Sequence, residues 1–127
     1  MANLRDVTPF FRVPDIKAAI SFFTETLGFK VGFEGGGYAY VWRENVAFRM
    51  IEDECLEPRG EGRYTSYVDV EDVDGLYAEL KPKLDLLPPG HVCAPFDQDY
   101  GQREFTVVGP DGDIIAFGMG IPPPLAS

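Results

Sequence analysis

The chain carries the same pattern of secondary-structure signals twice. In each half a Val-x-Asp step, Val13-Pro14-Asp15 and Val70-Glu71-Asp72, follows a short strand-like run and precedes a helical run. Aspartate favours the position just before a helix, because its carboxylate accepts hydrogen bonds from the free amides of the first turn. Repetition of a supersecondary unit predicts a fold built from two copies of that unit.

The residues after each aspartate have the periodicity of a helix with one apolar face. The apolar sets are Ile16, Ala19, Ile20, Phe23 and Leu27 in the first half, and Val73, Leu76, Tyr77, Leu80 and Leu84 in the second. Gly28 is expected to end the first helix, since glycine readily adopts the left-handed conformation found after helix ends. Pro82 makes the end of the second helix hard to place, because proline has no amide hydrogen.

Strand-like runs with turn residues between them surround both helices. The predicted strands are residues 8–13, 29–34, 38–43, 46–51, 64–70, 103–108 and 113–118, with reversals at Gly35-Gly36-Gly37, Glu44-Asn45 and Gly109-Pro110-Asp111-Gly112. The strand after the second helix has no clear signal. We therefore predict an α+β fold of two tandem βαβββ units with a mixed, strongly curved sheet. The expected single domain covers residues 1–127, with units at about 4–54 and 63–120, a linker at about 55–62 and a proline-rich tail at 121–127.

Alternation along the strands predicts which residues lie on the sheet face away from the helices. These sets are Thr8, Phe10 and Arg12, then Ala47, Arg49 and Ile51, and then Thr65, Tyr67 and Asp69. The charged members fit a wet cleft better than a sealed core, because burial of unpaired charge is costly. Tyr38, Tyr40 and Trp42 also share one face by parity.

Charge and composition exclude several classes of function. The chain has 11 Lys and Arg residues against 21 Asp and Glu, a net charge of −10, which disfavours nucleic acid and anionic membranes as partners. No apolar run approaches the ~20 residues of a membrane span, and the first residues do not resemble a secretory signal, so we expect a cytoplasmic protein. His91 is the single histidine, and Cys55 and Cys93 form no Cys-x-x-Cys motif. These counts argue against nucleophilic triads and histidine-rich metal sites.

The paired units, with Leu27-Gly28-Phe29 and Gly109-Pro110-Asp111-Gly112, resemble the vicinal oxygen chelate superfamily, which includes glyoxalase I and extradiol dioxygenases. The fold that this resemblance implies is of the glyoxalase/bleomycin-resistance type. Within the superfamily, the chain most resembles bleomycin-binding resistance proteins. Residues 22–29, 46–48, 76–79 and 100–105 carry it. The last run is similar to the aromatic-Gly-x-Arg-Glu-Phe motif of those proteins, with Tyr100 where the family often has tryptophan.

The resemblance also bears on metals. Enzymes of the superfamily hold a divalent metal with a His or Glu from each of four strands. The matching positions here are Thr8, Ala47, Thr65 and Ala116, and alanines and neutral hydroxyls do not replace imidazole or carboxylate ligands. We therefore expect no metal, no cofactor and no catalytic residue.

The narrower resemblance implies a homodimer in which sheets of two subunits form two clefts for a bleomycin-type glycopeptide. Aromatic rings would stack on a planar part of the ligand, and carboxylates would attract a cationic part. The ligand-binding residues expected are Phe33, Tyr38, Arg49, Tyr67, Asp69, Tyr100 and Asp113. Two alternatives remain open: a divergent isomerase, lyase or dioxygenase, and a protein that binds another small aromatic or cationic metabolite.

Overall fold

A computed structural model describes residues 2–56 and 64–122 of the chain. The chain divides into two compact units, Met1–Pro58 and Arg59–Ser127. The division falls within the predicted linker at 55–62. Residues 57–62 of that linker, including the acidic Glu57 and Glu61, lie outside the described residues, as do residues 123–127 of the predicted tail.

Unit 1 has the predicted βαβββ order. Its elements are β1 (Phe10–Val13), α1 (Ile16–Ser21), a π-helical turn (Phe22–Thr26), β2 (Lys30–Gly35), β3 (Tyr38–Arg43) and β4 (Val46–Glu52). The sheet order is β1-β4-β3-β2. Strand β1 is parallel to β4, and the other neighbours are antiparallel.

Unit 2 repeats this arrangement. Its elements are β5 (Thr65–Asp69), α2 (Val73–Leu84), β6 (Val92–Asp97), β7 (Gln102–Val108) and β8 (Ile114–Gly120). The order β5-β8-β7-β6 again has one parallel pair, β5 with β8. The predicted duplication and mixed sheets are therefore confirmed.

Local signals act as the sequence predicts at caps and turns. The Asp15 carboxylate accepts hydrogen bonds from the amides of Lys17 and Ala18 at 3.1 and 3.2 Å, and Asp72 accepts one from Gly75 at 3.0 Å. Gly36 and Gly37 both have positive φ at the first hairpin, as a type I′ turn requires.

The apolar faces of the helix and sheet form the core of each unit. In unit 1 the Phe23 ring packs against Phe11, Phe29 and Phe48, with 4.8 Å between the centroids of Phe23 and Phe48. In unit 2 the Phe105 ring stacks on Phe117 with centroids 5.0 Å apart. The predicted alternation is confirmed in β1, β4 and β5, where Phe11, Phe48, Met50 and Val68 are buried.

The first helix differs from the prediction at its end, whereas the second agrees with its predicted apolar face from Val73 to Leu84. The first is not α-helical to Leu27, because the amide of Leu27 donates to Phe22 O at 3.2 Å across a wider π turn. This turn buries the adjacent Phe22 and Phe23 together, with their centroids 5.4 Å apart. The second helix continues through Pro82 to Leu84. No helix in the described part of the chain is long and apolar enough to span a membrane.

Two strands also differ from the prediction. Strand β1 starts at Phe10 and not at Thr8. Strand β6, which the sequence left without a signal, lies at the sheet edge and contains Pro95 at an irregularity between Cys93 and Phe96. Proline is tolerated at edges and bulges because no ladder hydrogen bond is needed there, and it obscures the strand pattern.

Candidate ligand-binding surfaces

Cationic side chains organise the aromatic rings on the face of unit 1 away from its helix. Arg49 Nη1 donates a hydrogen bond to Tyr38 Oη, and the Arg49 guanidinium lies 5.0 Å from the Tyr40 ring centroid. Lys30 Nζ lies 5.5 Å from the centroid of Trp42. The predicted common face of Tyr38, Tyr40 and Trp42 is confirmed, since the alternate residues Ala39 and Val41 are buried.

A bulge in β2 brings two of these rings close to the backbone. The pairing of β2 with β3 shifts between Val31 and Phe33, so Gly32 lies at the irregularity. A Cβ at position 32 would be 2.9 Å from Tyr40 Cδ1 and 3.3 Å from Trp42 Cδ1. A side chain at position 32 would therefore require the Tyr40 ring to shift.

Three rings form a patch beside Arg49, which we name the unit 1 aromatic patch: the exposed Phe10 and Phe33 and the half-buried Tyr38. The Tyr38 centroid lies 5.9 Å from that of Phe10 and 5.9 Å from that of Phe33. Phe33 is 57% exposed, although it is a large apolar side chain. An exposed group of rings indicates a surface that takes a partner or ligand.

A cavity of about 370 Å³ lies on the same unit. Its lining includes Asp6, Thr8, Tyr40, Trp42 and Ala47. Thr8 and Ala47, two of the four positions that the family resemblance matches to metal ligands, line this cavity. Neither supplies a donor that suits a divalent ion.

The open face of unit 2 is built around a buried carboxylate. Glu104 is only 5% exposed, and its Oε1 accepts hydrogen bonds from Tyr100 Oη and from Gln98 Nε2, the latter at 3.0 Å. Tyr67 Oη donates to Gln102 Oε1 at 3.0 Å. We name Tyr67, Gln98, Tyr100, Gln102 and Glu104 the Glu104 cluster.

The two tyrosines of this cluster have pKa values above that of an ordinary tyrosine. Partial burial, a hydrogen-bonding contact with Glu104 and the negative charge of that carboxylate raise the pKa of Tyr67 to about 12. The hydrogen bond donated to Glu104 also raises the pKa of Tyr100. Both phenols are therefore neutral donors near neutral pH.

The neighbouring Arg103 faces away from the Glu104 cluster, as alternation predicts for adjacent strand residues. Its Nε and Nη2 donate to the two carboxylate oxygens of Asp74 at 3.0 and 2.9 Å, and its Nη1 donates to Asp97 at 3.0 Å. The hydrogen bonds from Arg103 lower the pKa of Asp74. Arg103 therefore binds two carboxylates, Asp74 and Asp97, on the face of the sheet opposite Glu104.

Asp113 occupies a different setting from the other expected ligand residues. It is buried, and Oδ1 accepts a hydrogen bond from the Tyr64 amide at 3.0 Å. The amide of Ile114 in turn donates to Tyr64 O at 3.0 Å. Asp113 thereby fixes the start of β5 against β8, and its burial leaves little surface for a ligand. Asp69, by contrast, is exposed at the end of β5.

The residues at the four positions that match metal ligands in the superfamily do not suit a divalent ion. Thr8, Ala47, Thr65 and Ala116 offer two neutral hydroxyls and two methyl groups. Within residues 2–56 and 64–122 no group of three or more His, Cys, Asp or Glu side chains is arranged to hold a metal.

Glu104, Gln98 and Gln102 are not among the ligand-binding residues expected from the sequence, although Gln102 and Glu104 lie in the motif at 100–105. Parity along β7 places Gln102 and Glu104 on one face, opposite the buried Phe105 and Val107. That signal was available in the sequence. The burial of Glu104 was not, because it depends on tyrosines from a loop and another strand.

Known proteins share this chain's sequence pattern and fold. The sequence model of the Glyoxalase/Bleomycin resistance protein/Dioxygenase superfamily matches residues 7–117. A bleomycin resistance protein of Geobacillus stearothermophilus is 30% identical over 124 residues, which covers 86% of this chain and 92% of the relative.

Two solved structures have the same fold. A bleomycin-binding protein of Streptomyces verticillus, in complex with copper(II)-bleomycin, aligns with a TM-score of 0.78 at 24% identity, covering 94% of this chain and 99% of that one. A bleomycin-binding protein in complex with bleomycin aligns with a TM-score of 0.79 at 21% identity, covering 92% and 99%. The chain belongs to the Glyoxalase/Bleomycin resistance protein/Dioxygenase superfamily.

Proposed function

We propose that this chain binds and sequesters a bleomycin-type glycopeptide without chemically changing it. The observation that carries the proposal is the exposure of aromatic rings on the open face of each sheet. Phe33 and Tyr38 lie in the unit 1 aromatic patch, and Tyr67 and Tyr100 lie in the Glu104 cluster. The 30% identity to a protein named for bleomycin resistance supports this choice of ligand.

The proposed contacts divide into rings and charged groups. The rings stack on planar heteroaromatic parts of the drug, and the exposed Asp69 attracts its cationic part. Arg49 holds Tyr38 and Tyr40 in place, so its charge is already engaged within the protein. Asp113 is left out of the proposed contacts because it is buried against Tyr64.

The proposal includes a homodimer with ligand clefts at the interface between two copies. The exposed rings of the unit 1 aromatic patch support it, since such a surface is stabilised by a partner. A two-fold interface would bury the same patch on both copies. Sedimentation at micromolar concentration tests this part, and a monomer throughout would contradict it.

Calorimetric titration with metal-free bleomycin tests binding. We expect saturation near one drug per chain, weaker binding at high salt because the net charge of −10 is screened, and protection of DNA from cleavage by the activated drug. Absence of heat together with absence of protection would overturn the proposal.

We also propose that the chain is not an enzyme and acts in the cytoplasm. The mismatch of Thr8, Ala47, Thr65 and Ala116 to metal coordination supports the non-enzymatic part. Mass spectrometry of the drug after incubation with the protein is expected to show an unchanged mass. A new product formed at a rate proportional to protein concentration would contradict this part.

A further inference from the structure

Glu104 of unit 2 is a buried carboxylate that forms no ion pair with any of the described residues. Glu104 is 5% exposed, and its Oε2 has no hydrogen-bond partner among the described residues. Oε1 accepts hydrogen bonds from Tyr100 and Gln98. The Tyr67 hydroxyl also lies within hydrogen-bonding range of the carboxylate, but it donates its proton to Gln102. The adjacent Arg103 is hydrogen-bonded to Asp74 and Asp97 and so does not neutralise Glu104.

This arrangement is costly for a purely structural residue. A buried polar atom normally has a partner, and removing an ionised group from water without a compensating charge costs several kcal/mol. A glutamine would keep the contacts with Tyr100 and Gln98 without this cost. The unpartnered oxygen is therefore better explained by a donor that arrives from outside the chain.

The cover over Glu104 is suited to displacement. Tyr100 is 64% exposed, and its hydroxyl donates to Glu104 Oε1. It lies in the turn between β6 and β7, next to Gly101, whose φ is +85°. A ligand that moves this phenol aside would reach the carboxylate without any change in the core.

The side chains around Glu104 indicate the chemical class of that ligand. Tyr67 and Tyr100 supply two aromatic rings beside the carboxylate, and Asp69 adds negative charge near Tyr67. A cation gains from ring faces, and an N–H donor that is itself charged forms the stronger type of hydrogen bond with a carboxylate. A planar cation combines both properties and fits between rings better than a tetrahedral ammonium.

We propose that Glu104, Tyr67 and Tyr100 form a subsite for an amidinium or guanidinium group, which donates an N–H to Glu104 Oε2 and lies against the two phenol rings. As a part of drug recognition this subsite rests on the proposed function, because it shares its tyrosines with that surface. As a receptor for a planar cation it is independent of bleomycin, and the experiment separates the two.

The test compares benzamidinium with benzamide, an uncharged analogue of similar shape. Both are titrated into the full chain and followed by nuclear magnetic resonance of the tyrosine rings and the glutamate side chains. We expect benzamidinium to bind at least about tenfold more tightly than benzamide, as one charged hydrogen bond predicts, with shifts centred on Glu104, Tyr67 and Tyr100. Glu104→Gln is expected to abolish the preference, and the matched charge change Glu71→Gln on the loop before α2 is expected to keep it.

Equal affinities of the two compounds for the natural chain, or a preference that survives Glu104→Gln, would overturn the subsite. If Glu104→Gln does not fold, the test uses the resonance shifts that benzamidinium causes in the natural chain. Shifts centred away from Glu104 would then overturn the subsite. A chain that prefers benzamidinium but does not bind bleomycin supports the subsite and contradicts the proposed function. A chain that binds bleomycin but shows no preference for benzamidinium supports the proposed function and contradicts the subsite.

Discussion

The hydroxyl of Tyr67 lies in the space that a side chain at position 118 would occupy. A Cβ built on Gly118 would be 1.8 Å from Tyr67 Oη and 2.5 Å from Tyr67 Cζ. Gly118 pairs with Glu104 on one side and with Asp69 on the other. The missing Cβ thus lets a phenol from β5 cross β8 and reach Gln102 on β7, where it donates its hydrogen bond.

Gly118→Ala is therefore expected to expel Tyr67 from its position. We predict a loss of about 1–3 kcal/mol in the free energy of unfolding, the usual cost of overpacking. Denaturant unfolding measures the loss. The same substitution in a Tyr67→Ala background is the control, since the clash is then absent and the cost is expected to be small. An equal cost in both backgrounds would contradict the assigned contact.

The raised pKa of Tyr67 predicts a loss of stability at alkaline pH. The pKa is about 12 in the folded chain against 10.0 for a free tyrosine, so between pH 10 and 12 the unfolded chain releases this proton first. The contribution is complete below pH 10 and decreases as the pH rises towards 12. The contribution of Tyr67 to the free energy of unfolding is smaller than the roughly 1.4 kcal/mol per pKa unit expected for a group shielded from solvent. The reason is that Tyr67 is 43% exposed.

Tyr67→Phe tests this prediction. The substitution removes the titrating hydroxyl, and the dependence of unfolding on alkaline pH is expected to become weaker. Ultraviolet titration of tyrosinate is expected to lose its most alkaline component. An unchanged titration curve would show that another tyrosine carries the shift.

The contact of Arg103 with Asp74 predicts an effect at acid pH. Hydrogen bonds from Arg103 lower the pKa of Asp74 below 3.8, so the contribution of the pair to stability is complete above that pH and decreases as the pH falls. Arg103→Lys replaces a planar two-point donor with a single ammonium. We expect the pKa of Asp74 to rise in this variant, measured by carboxyl resonance titration. Arg12→Lys, a change of the same kind in unit 1, should leave Asp74 unaffected.

The unit 1 aromatic patch predicts a selective effect on drug binding. Phe33→Ala removes an exposed ring that lies 5.9 Å from Tyr38, and an aromatic contact contributes about 0.5–1.5 kcal/mol. We expect the Kd for bleomycin to rise roughly two- to tenfold, with unfolding almost unchanged. Val31→Ala is the control, because Val31 is an exposed apolar residue of the same strand on the other side of the bulge. Equal effects of the two variants would remove Phe33 from the proposed contacts.

Local patterns in the sequence were sufficient for the repeated architecture. Aspartates at 15 and 72 cap the helices, and glycines form the hairpin between β2 and β3. Strand alternation separated Phe48 and Met50 from Arg49. These features depend on residues close together in the chain, which is why they can be predicted without coordinates. The π turn at Phe22–Thr26 could not, because it results from packing both phenylalanines into one core.

The amino-acid sequence by itself determined the two βαβββ units, their inner and outer faces, the acidic character of the chain and the mismatch to a metal-binding pattern. Only the tertiary structure decided the burial of Glu104, the withdrawal of Asp113 towards Tyr64 and the need for glycine at position 118. Tyr67, Glu104 and Gly118 are distant in the chain and meet because β5, β8 and β7 are neighbours in one sheet. Periodicity assigns a side chain to a face, whereas contacts across strands depend on the register between them.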